Sequence, residues 1–245
     1  MKVLGIDIGG SGIKGAIVNV NQGKTVGERI RLTAPEKSKP RDVAKIVKEI
    51  AGQFSWKGSI GCGFPAVIKN GIALSAANIS KKWVEMDVNG LLSQVTGLEI
   101  HTINDADAAG LAEMSFGIGK DYKKQVVVLL TLGTGFGSAV FVNGELLPNT
   151  ELGHIQIRGK DAEKRASDAV RKKKELGWKS WSGRLQEYLN VLEDLINPDV
   201  IIIGGGISKS HLKFFPHLKT RAKLLPAHFL NQAGIIGAAI FASQK

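Results

Sequence analysis

The chain has 245 residues, of which 43% are apolar, enough to bury a core in one large domain or two smaller units. Lys and Arg number 33 against 22 Asp and Glu, a formal charge of +11 that favours a polyanionic partner such as nucleic acid, an anionic membrane surface or a phosphate polymer, with a plain solvated surface as the alternative that charge alone leaves open. The single cysteine excludes an internal disulfide, the five histidines lack the spacing of a zinc site, and no apolar run approaches the ~20 residues that span a bilayer.

In chain order, the run Val3 to Ile8 reads as a strand and ends in Asp7-Ile8-Gly9-Gly10-Ser11-Gly12-Ile13-Lys14-Gly15. Gly10-x-Gly12-x-x-Gly15 formally matches a dinucleotide fingerprint, but that motif needs a helix to open at the glycines. Here the β-branched run Ile13 to Val20 follows, so the unit reads as a hairpin. No Gly-Lys-Ser or Gly-Lys-Thr completes a Walker loop. A third strand, Val26 to Leu32, leads through a charged loop to a helix over Asp42 to Phe54, with Val43, Ile46, Val47 and Ile50 on one face. Ser59 to Gly63 is a further strand that holds Cys62 as a small core residue. It ends in Phe64-Pro65-Ala66, and a short helix around Val88 to Thr96 leads to the strand Glu99 to Ile103.

The pattern then repeats. Asn104-Asp105 opens a helix over Ala106 to Phe116, and the strand Val126 to Leu132 enters Gly133-Thr134-Gly135-Phe136-Gly137-Ser138. A returning strand to Val142 is closed by Asn143-Gly144, the preferred two-residue hairpin turn. A third glycine turn, Gly204-Gly205-Gly206, follows the buried strand Val200 to Ile203. Glycine turns at corresponding strand ends let backbone N–H groups converge on an anion without a Cβ in the way. Two series with the same opening hairpin imply an internal duplication and two lobes around a central cleft. The expected boundaries are a small lobe of 1–104 with 234–245 and a large lobe of 105–233. The Gly- and Ala-rich closing helix, Gly234 to Ala242, is suited to lie close against a sheet of the first lobe.

Asp105, at a strand end and a helix start, fits either an N-cap or a carboxylate that accepts a proton from an attacking hydroxyl. Glu151 and His154, in Glu-Leu-Gly-His, share a face if that segment is a helical turn and can grip adjacent hydroxyls of a sugar, although an interior histidine has the same signature. Two basic runs follow. Lys164, Arg165, Arg171, Lys172, Lys173 and Lys174 alternate with Ala162, Ala166, Ala169 and Val170 at helical spacing, and Lys209, Lys213, Lys219, Arg221 and Lys223 follow the third glycine turn. Such runs fit a solvated face or a groove for a linear phosphate polymer. Trp56, Trp83, Trp178 and Trp181 form no aromatic ladder, and there is neither a zinc finger nor a helix-turn-helix ahead of the first strand, so nucleic acid is not an expected partner. With no amino-terminal hydrophobic region, the expected location is the cytoplasm, without membrane attachment.

The first hairpin, Asn104-Asp105-Ala106-Asp107-Ala108-Ala109-Gly110, Leu132-Gly133-Thr134-Gly135, Glu151-Leu152-Gly153-His154 and the segment Ala233 to Ala239 together resemble the ROK sugar kinases. Within that family the chain is most similar to the polyphosphate glucokinases. The resemblance implies an α/β, actin-like ATPase (ribonuclease H-like) fold, a homodimer, and phosphoryl transfer to the 6-hydroxyl of glucose from inorganic polyphosphate or ATP. It implies Asp105 as the base, with Asn104, Glu151, His154, Pro65 and Asn78 on the sugar. Gly9, Gly10, Ser11, Gly12, Lys14, Thr134, Gly135, Gly205 and Gly206 would hold phosphate, and the run from Lys164 to Lys174 the polymer. Mg²⁺ would be held by Asp7 and Asp105 through water. Most members of the family carry a cysteine-rich zinc motif after Glu-x-Gly-His; this chain lacks it, so no zinc is expected. Ala66 stands where the sugar loop usually has glycine, which leaves mannose as a second acceptor open. The alternatives are a strictly ATP-dependent glucokinase or mannokinase and a non-catalytic sugar-binding regulator.

Overall fold

The computed structural model describes residues 1–77 and 79–245. The first hairpin pairs β1 (Lys2–Gly9) with β2 (Gly12–Asn19) through Gly10-Ser11, so that Gly9 lies opposite Gly12 and Asp7 opposite Lys14. Strand β3 (Lys24–Thr33) adds antiparallel to β2. Helix α1 (Pro40–Gln53) starts with proline at its first turn, where no N–H is needed, and buries Val43, Ala44, Val47 and Ile50. Strand β4 (Ile60–Phe64) is buried along its whole length, including Cys62, whose thiol burial pushes up to about 12. It is followed by a small antiparallel sheet of β5 (Ile68–Lys69), β6 (Ile72–Ala73) and β7 (Met86–Asp87). The Asp87 carboxylate caps α2 (Val88–Thr96) by accepting from the Gly90 N–H at 2.8 Å. Strand β8 (Ile100–Asn104) and helix α3 (Asp105–Ser115) follow.

The second series comprises β9 (Val126–Leu132), β10 (Phe136–Val142) and β11 (Glu145–Leu147), with Asn143 and Gly144 both at positive φ in the β10–β11 turn. A two-stranded ribbon of β12 (Gln156–Ile157) and β13 (Lys160–Asp161) leads to α4 (Glu163–Ala166), α5 (Asp168–Lys173) and α6 (Trp178–Ile196). Strands β14 (Val200–Gly204) and β15 (Lys223–Pro226) complete the series, and α7 (Ala233–Ala242) closes the chain. Among the described residues no helix is long and apolar enough to cross a membrane.

Two compact units result, Met1–Phe116 with Gln232–Lys245, and Gly117–Asn231. Each has a five-stranded sheet, ordered β3-β2-β1-β4-β8 in the first and β11-β10-β9-β14-β15 in the second. In both, three antiparallel strands are followed by two parallel ones, the same topology twice over. The unit boundary differs from the expected one by α3, which packs on α7 and β4 and so belongs with the first unit. Small residues make that packing close: a methyl added to Gly5, Gly61 or Gly237 would overlap the carbonyl of Ile235, Ala238 or Ala108 respectively. In the second unit α6 turns Trp181, Leu185, Tyr188, Leu189 and Leu192 onto the sheet, each worth about 1.5–3 kcal/mol of burial.

Candidate active site

In the first unit the parallel strands β1, β4 and β8 end along one edge, with Asp7 beside Gly63 and Phe64 beside Asn104. Carboxyl ends of parallel strands are where open α/β sheets bind ligands. Asp7 Oδ2 accepts from Lys14 Nζ at 2.9 Å, a cross-strand pair only partly exposed. Asn104 is the cap of α3: its Oδ1 accepts from the N–H of Ala106 at 2.9 Å and of Asp107 at 3.0 Å, while Nδ2 donates to the Ala66 carbonyl at 3.0 Å. This 5%-exposed side chain therefore locks the loop after β4, with Pro65 and Ala66, to the start of α3. Asp105 Oδ1 accepts from the Ala106 N–H at 2.9 Å, and the capping role that the sequence left open for Asp105 is filled by Asn104.

Two glycines pack beside the backbone of Asp105 and the side chain of Asp7. A Cβ on Gly63 would stand 3.7 Å from both Asp105 Cα and the Gly234 carbonyl oxygen, and one on Gly234 would stand 3.1 Å from Asp7 Cγ. Asp7 and Asp105 thus border the same glycine pair. Gly10 and Ser11 are exposed, and Gly10 also lines a cavity of about 510 Å³ with Pro35, Lys37, Ser38, Ile79 and Ser80. Asn78, expected on the sugar, lies outside the described residues.

In the second unit the two glycine turns touch. Gly205 adopts φ 78°, which favours glycine, and a Cβ there would come within 2.8 Å of the Leu132 carbonyl, at the end of the strand that enters Gly133-Thr134-Gly135. That turn is fixed by the Gly133 N–H donating to Gly135 O at 3.0 Å and by the Ala169 N–H donating to Gly133 O at 3.1 Å.

The Glu-Leu-Gly-His segment forms a short 3₁₀ turn over Leu152–His154. Buried Ser138 holds it in place: its hydroxyl donates to Thr150 O at 2.7 Å and accepts from the Leu152 N–H at 3.0 Å. Gly153 allows the turn to rest on Phe136, whose backbone oxygen a Cβ would meet at 2.7 Å. His154 Nε2 stands 3.8 Å from Glu151 Oε2, and Nδ1 stands 3.6 Å from Asp161 Oδ2. Partial burial pushes the Glu151 carboxyl up, His154 opposes that shift and the Glu163 carboxylate adds to it.

Sequence reasoning missed Asp161 and Glu163. The β12–β13 ribbon pairs Gln156 with Asp161 through Arg158 and Gly159, both at positive φ, and so returns the chain to His154. The ligand atoms of His154, Asp161 and Glu163 then lie within 4.8 Å of one another. Asp161 is taken up by protein donors, Lys164 Nζ at 2.6 Å and the Gln156 amide, and the Lys164 hydrogen bond is the main reason its carboxyl is pulled down. Glu163 Oε2 accepts from the Phe136 N–H at 3.3 Å, just after the glycine turn. The Arg-Gly pair at 158–159 was the available signal for this hairpin.

The first basic run is not one helical face. Ser167, with extended backbone, divides it into α4 and α5 and caps α5 by accepting from the Val170 N–H at 3.3 Å. Arg165 is paired with Glu187 at 2.6 Å, while Arg171 and Lys172 share Asp168 at 2.9 and 2.7 Å. Lys173 and Lys174 are exposed and have no acidic partner among the described residues.

Carboxylates at strand ends, glycine turns at the ends of β1, β9 and β14, and a duplicated sheet define an α/β phosphotransferase of the actin-like ATPase class. The chain belongs to the ROK family, whose profile matches residues 3–169. It is 44% identical to the polyphosphate glucokinase of Mycobacterium tuberculosis over 96% of this chain and 89% of that one. The solved inorganic polyphosphate/ATP-glucomannokinase of Arthrobacter sp. strain KM superposes with a TM-score of 0.96 at 43% identity, covering 99% of this chain and 98% of the other. A ROK glucokinase from Streptomyces griseus, solved with glucose and AMPPNP, shares the fold with a TM-score of 0.80 at 21% identity over the full length of both chains.

Proposed function

We propose that the chain is a glucokinase that transfers a phosphoryl group from inorganic polyphosphate, with ATP as a second donor, to the 6-hydroxyl of glucose. The observation that carries this reading is Asp105, held at the strand ends beside the Asn104–Ala66 lock, in a chain so similar to polyphosphate-using kinases. Asn104, Pro65, Glu151 and His154 take the sugar, and Asp161 and Glu163 brace the His154 side of that set. Asp105 accepts the hydroxyl proton, which in a loose phosphoryl-transfer transition state leaves late, so placement matters more than basicity. The amides of Gly9, Gly10, Ser11 and Gly12, of Thr134 and Gly135, and of Gly205 and Gly206 hold phosphate oxygens, and Lys14 opposes charge on the transferring group.

Asp7 in β1 and Asp105 at the start of α3 offer the hard carboxylate oxygens that Mg²⁺ prefers and would hold the ion through water. When bound, the ion neutralises phosphate charge. The chain acts as a cytoplasmic homodimer in this reading. The deciding experiment is glucose phosphorylation with polyphosphate and with ATP, for the unaltered chain and for Asp105→Asn. Turnover with both donors, and a loss of kcat of about 10²–10⁴-fold in the variant with glucose binding retained, is the expected result. Undiminished turnover by the variant removes the base, activity with ATP alone removes the polymer as donor, and sugar binding without turnover leaves a regulator.

A further inference from the structure

Asp7, Lys14 and Arg31 stand in one cross-strand row of the first sheet. Asp7 lies opposite Lys14 across β1 and β2, and Lys14 opposite Arg31 across β2 and β3, so the three side chains project from the same face. Two residues nearer the turn, that face carries Gly9 opposite Gly12 and Gly12 opposite Thr33. A notch with no side chain on β1 or β2 therefore sits between the charged row and the exposed Gly10-Ser11 tip.

Gly12 has no positive φ, so its backbone conformation does not call for glycine. What the glycine makes room for is a neighbouring side chain. A Cβ at Gly12 would come within 3.0 Å of Arg31 Nε and 3.5 Å of its Nη2, and within 3.2 Å of the Leu32 carbonyl oxygen. The Arg31 guanidinium thus lies over the Gly12 backbone, in the space that a side chain at position 12 would fill.

The charges of the row do not cancel. Lys14 Nζ is 2.9 Å from Asp7 Oδ2, whereas Arg31 is exposed and has no acidic partner among the described residues. The cavity beyond Gly10 is lined by both Glu36 and Lys37 and so adds no net charge of its own. Arg31 is left as the net positive charge at the end of the first hairpin.

We infer that Arg31 is a donor-binding residue, whose guanidinium takes non-bridging oxygens of a phosphate held by the Gly9–Gly12 amides while Lys14 is shared with Asp7. The inference rests on the proposed phosphoryl transfer and names a further residue for it; it holds for either donor, since polyphosphate and ATP both bring a phosphate to this hairpin. A guanidinium presents parallel N–H groups to two oxygens of one phosphate. Its place over Gly12 sets that fork beside the amides of the same turn, so that both converge on one anion.

The test compares R31Q with R31K, which keeps the charge without the fork, and with K24Q, which removes a cation from the other end of β3, roughly 20 Å away. KM for tripolyphosphate, ATP and glucose is measured for each, together with tripolyphosphate binding by calorimetry without sugar, and thermal melts verify folding. R31Q should raise both donor KM values and the tripolyphosphate dissociation constant about 10- to 100-fold, as expected for a lost hydrogen bond to a charged group, with the glucose KM held within about twofold. R31K should fall between R31Q and the unaltered chain, and K24Q should match the unaltered chain. Donor constants unchanged in R31Q overturn the assignment. An equal rise in K24Q also overturns it, in favour of a diffuse field, and a glucose KM that rises in step with the donor KM overturns it in favour of a distorted unit. An unaltered chain that turns over a donor no better than R31Q does removes Arg31 alone, whereas an unaltered chain that turns over neither donor removes the phosphoryl-transfer reading together with it.

Discussion

Glu151, which in the proposed reading takes the sugar, carries its charge at a cost to the fold. Its carboxyl is pushed up chiefly by partial burial, helped by Glu163 and opposed by His154. A folded-state value above the unfolded one means that the native chain binds the proton more tightly. The stabilising effect is complete below the ordinary glutamate value and is lost as pH rises through the raised value. Glu151→Gln removes this titration. As pH rises from the ordinary glutamate value through the raised one, the melting temperature of the unaltered chain should therefore fall relative to that of the variant. The same substitution should raise the glucose KM about 5- to 10-fold, because a hydrogen bond to a charged acceptor is replaced by a neutral one. Paired melts across pH check the first statement; a difference independent of pH would show that the shift is not expressed in stability.

At the scale of elements, two glycines make opposite predictions for the same substitution. Gly237 in α7 lies against the Ala108 carbonyl of α3, so Gly237→Ala forces the helices apart and should cost about 1–3 kcal/mol or more. Gly52, near the end of α1, has nothing within 4 Å of an added methyl, so Gly52→Ala should stabilise by about 0.5–1 kcal/mol through helix propensity alone. Urea unfolding measures both, and equal signs would contradict the packing described for α7. The same contrast explains what could be read from the sequence. The hairpins were legible because strand, glycine turn and returning strand are local signals, and α2 and β9 have the expected bounds for the same reason. The division between α4 and α5 was not: Ala162, Ala166 and Ala169 keep a helical spacing through Ser167, yet Ala169 is exposed and its N–H is spent on Gly133. Asp161 and Glu163 were hidden because their approach to His154 depends on a two-residue turn, and α3 was assigned across the boundary because its burial against α7 is a contact between the two ends of the first unit.

On the scale of the whole molecule, the excess of cations matters more for association than for the fold, since exposed ion pairs add little stability while a charged surface acts on every approaching anion. A polymer that displaces condensed counterions when it binds makes affinity a power of salt concentration. For single-stranded polyanions the exponent is about 0.7 per contact, so three to five ammonium contacts with the polymer give a slope of about −2 to −3.5 in log affinity against log salt. A fourfold rise in salt should then raise the long-chain polyphosphate KM between about 15-fold and about 130-fold, and the ATP KM by much less, because ATP presents few phosphates. Steady-state KM values for both donors over a salt series, at fixed glucose, measure the two slopes. Equal slopes would mean that +11 acts as a diffuse field around the protein; a steeper slope for the polymer places the contacts along the length of the chain it carries.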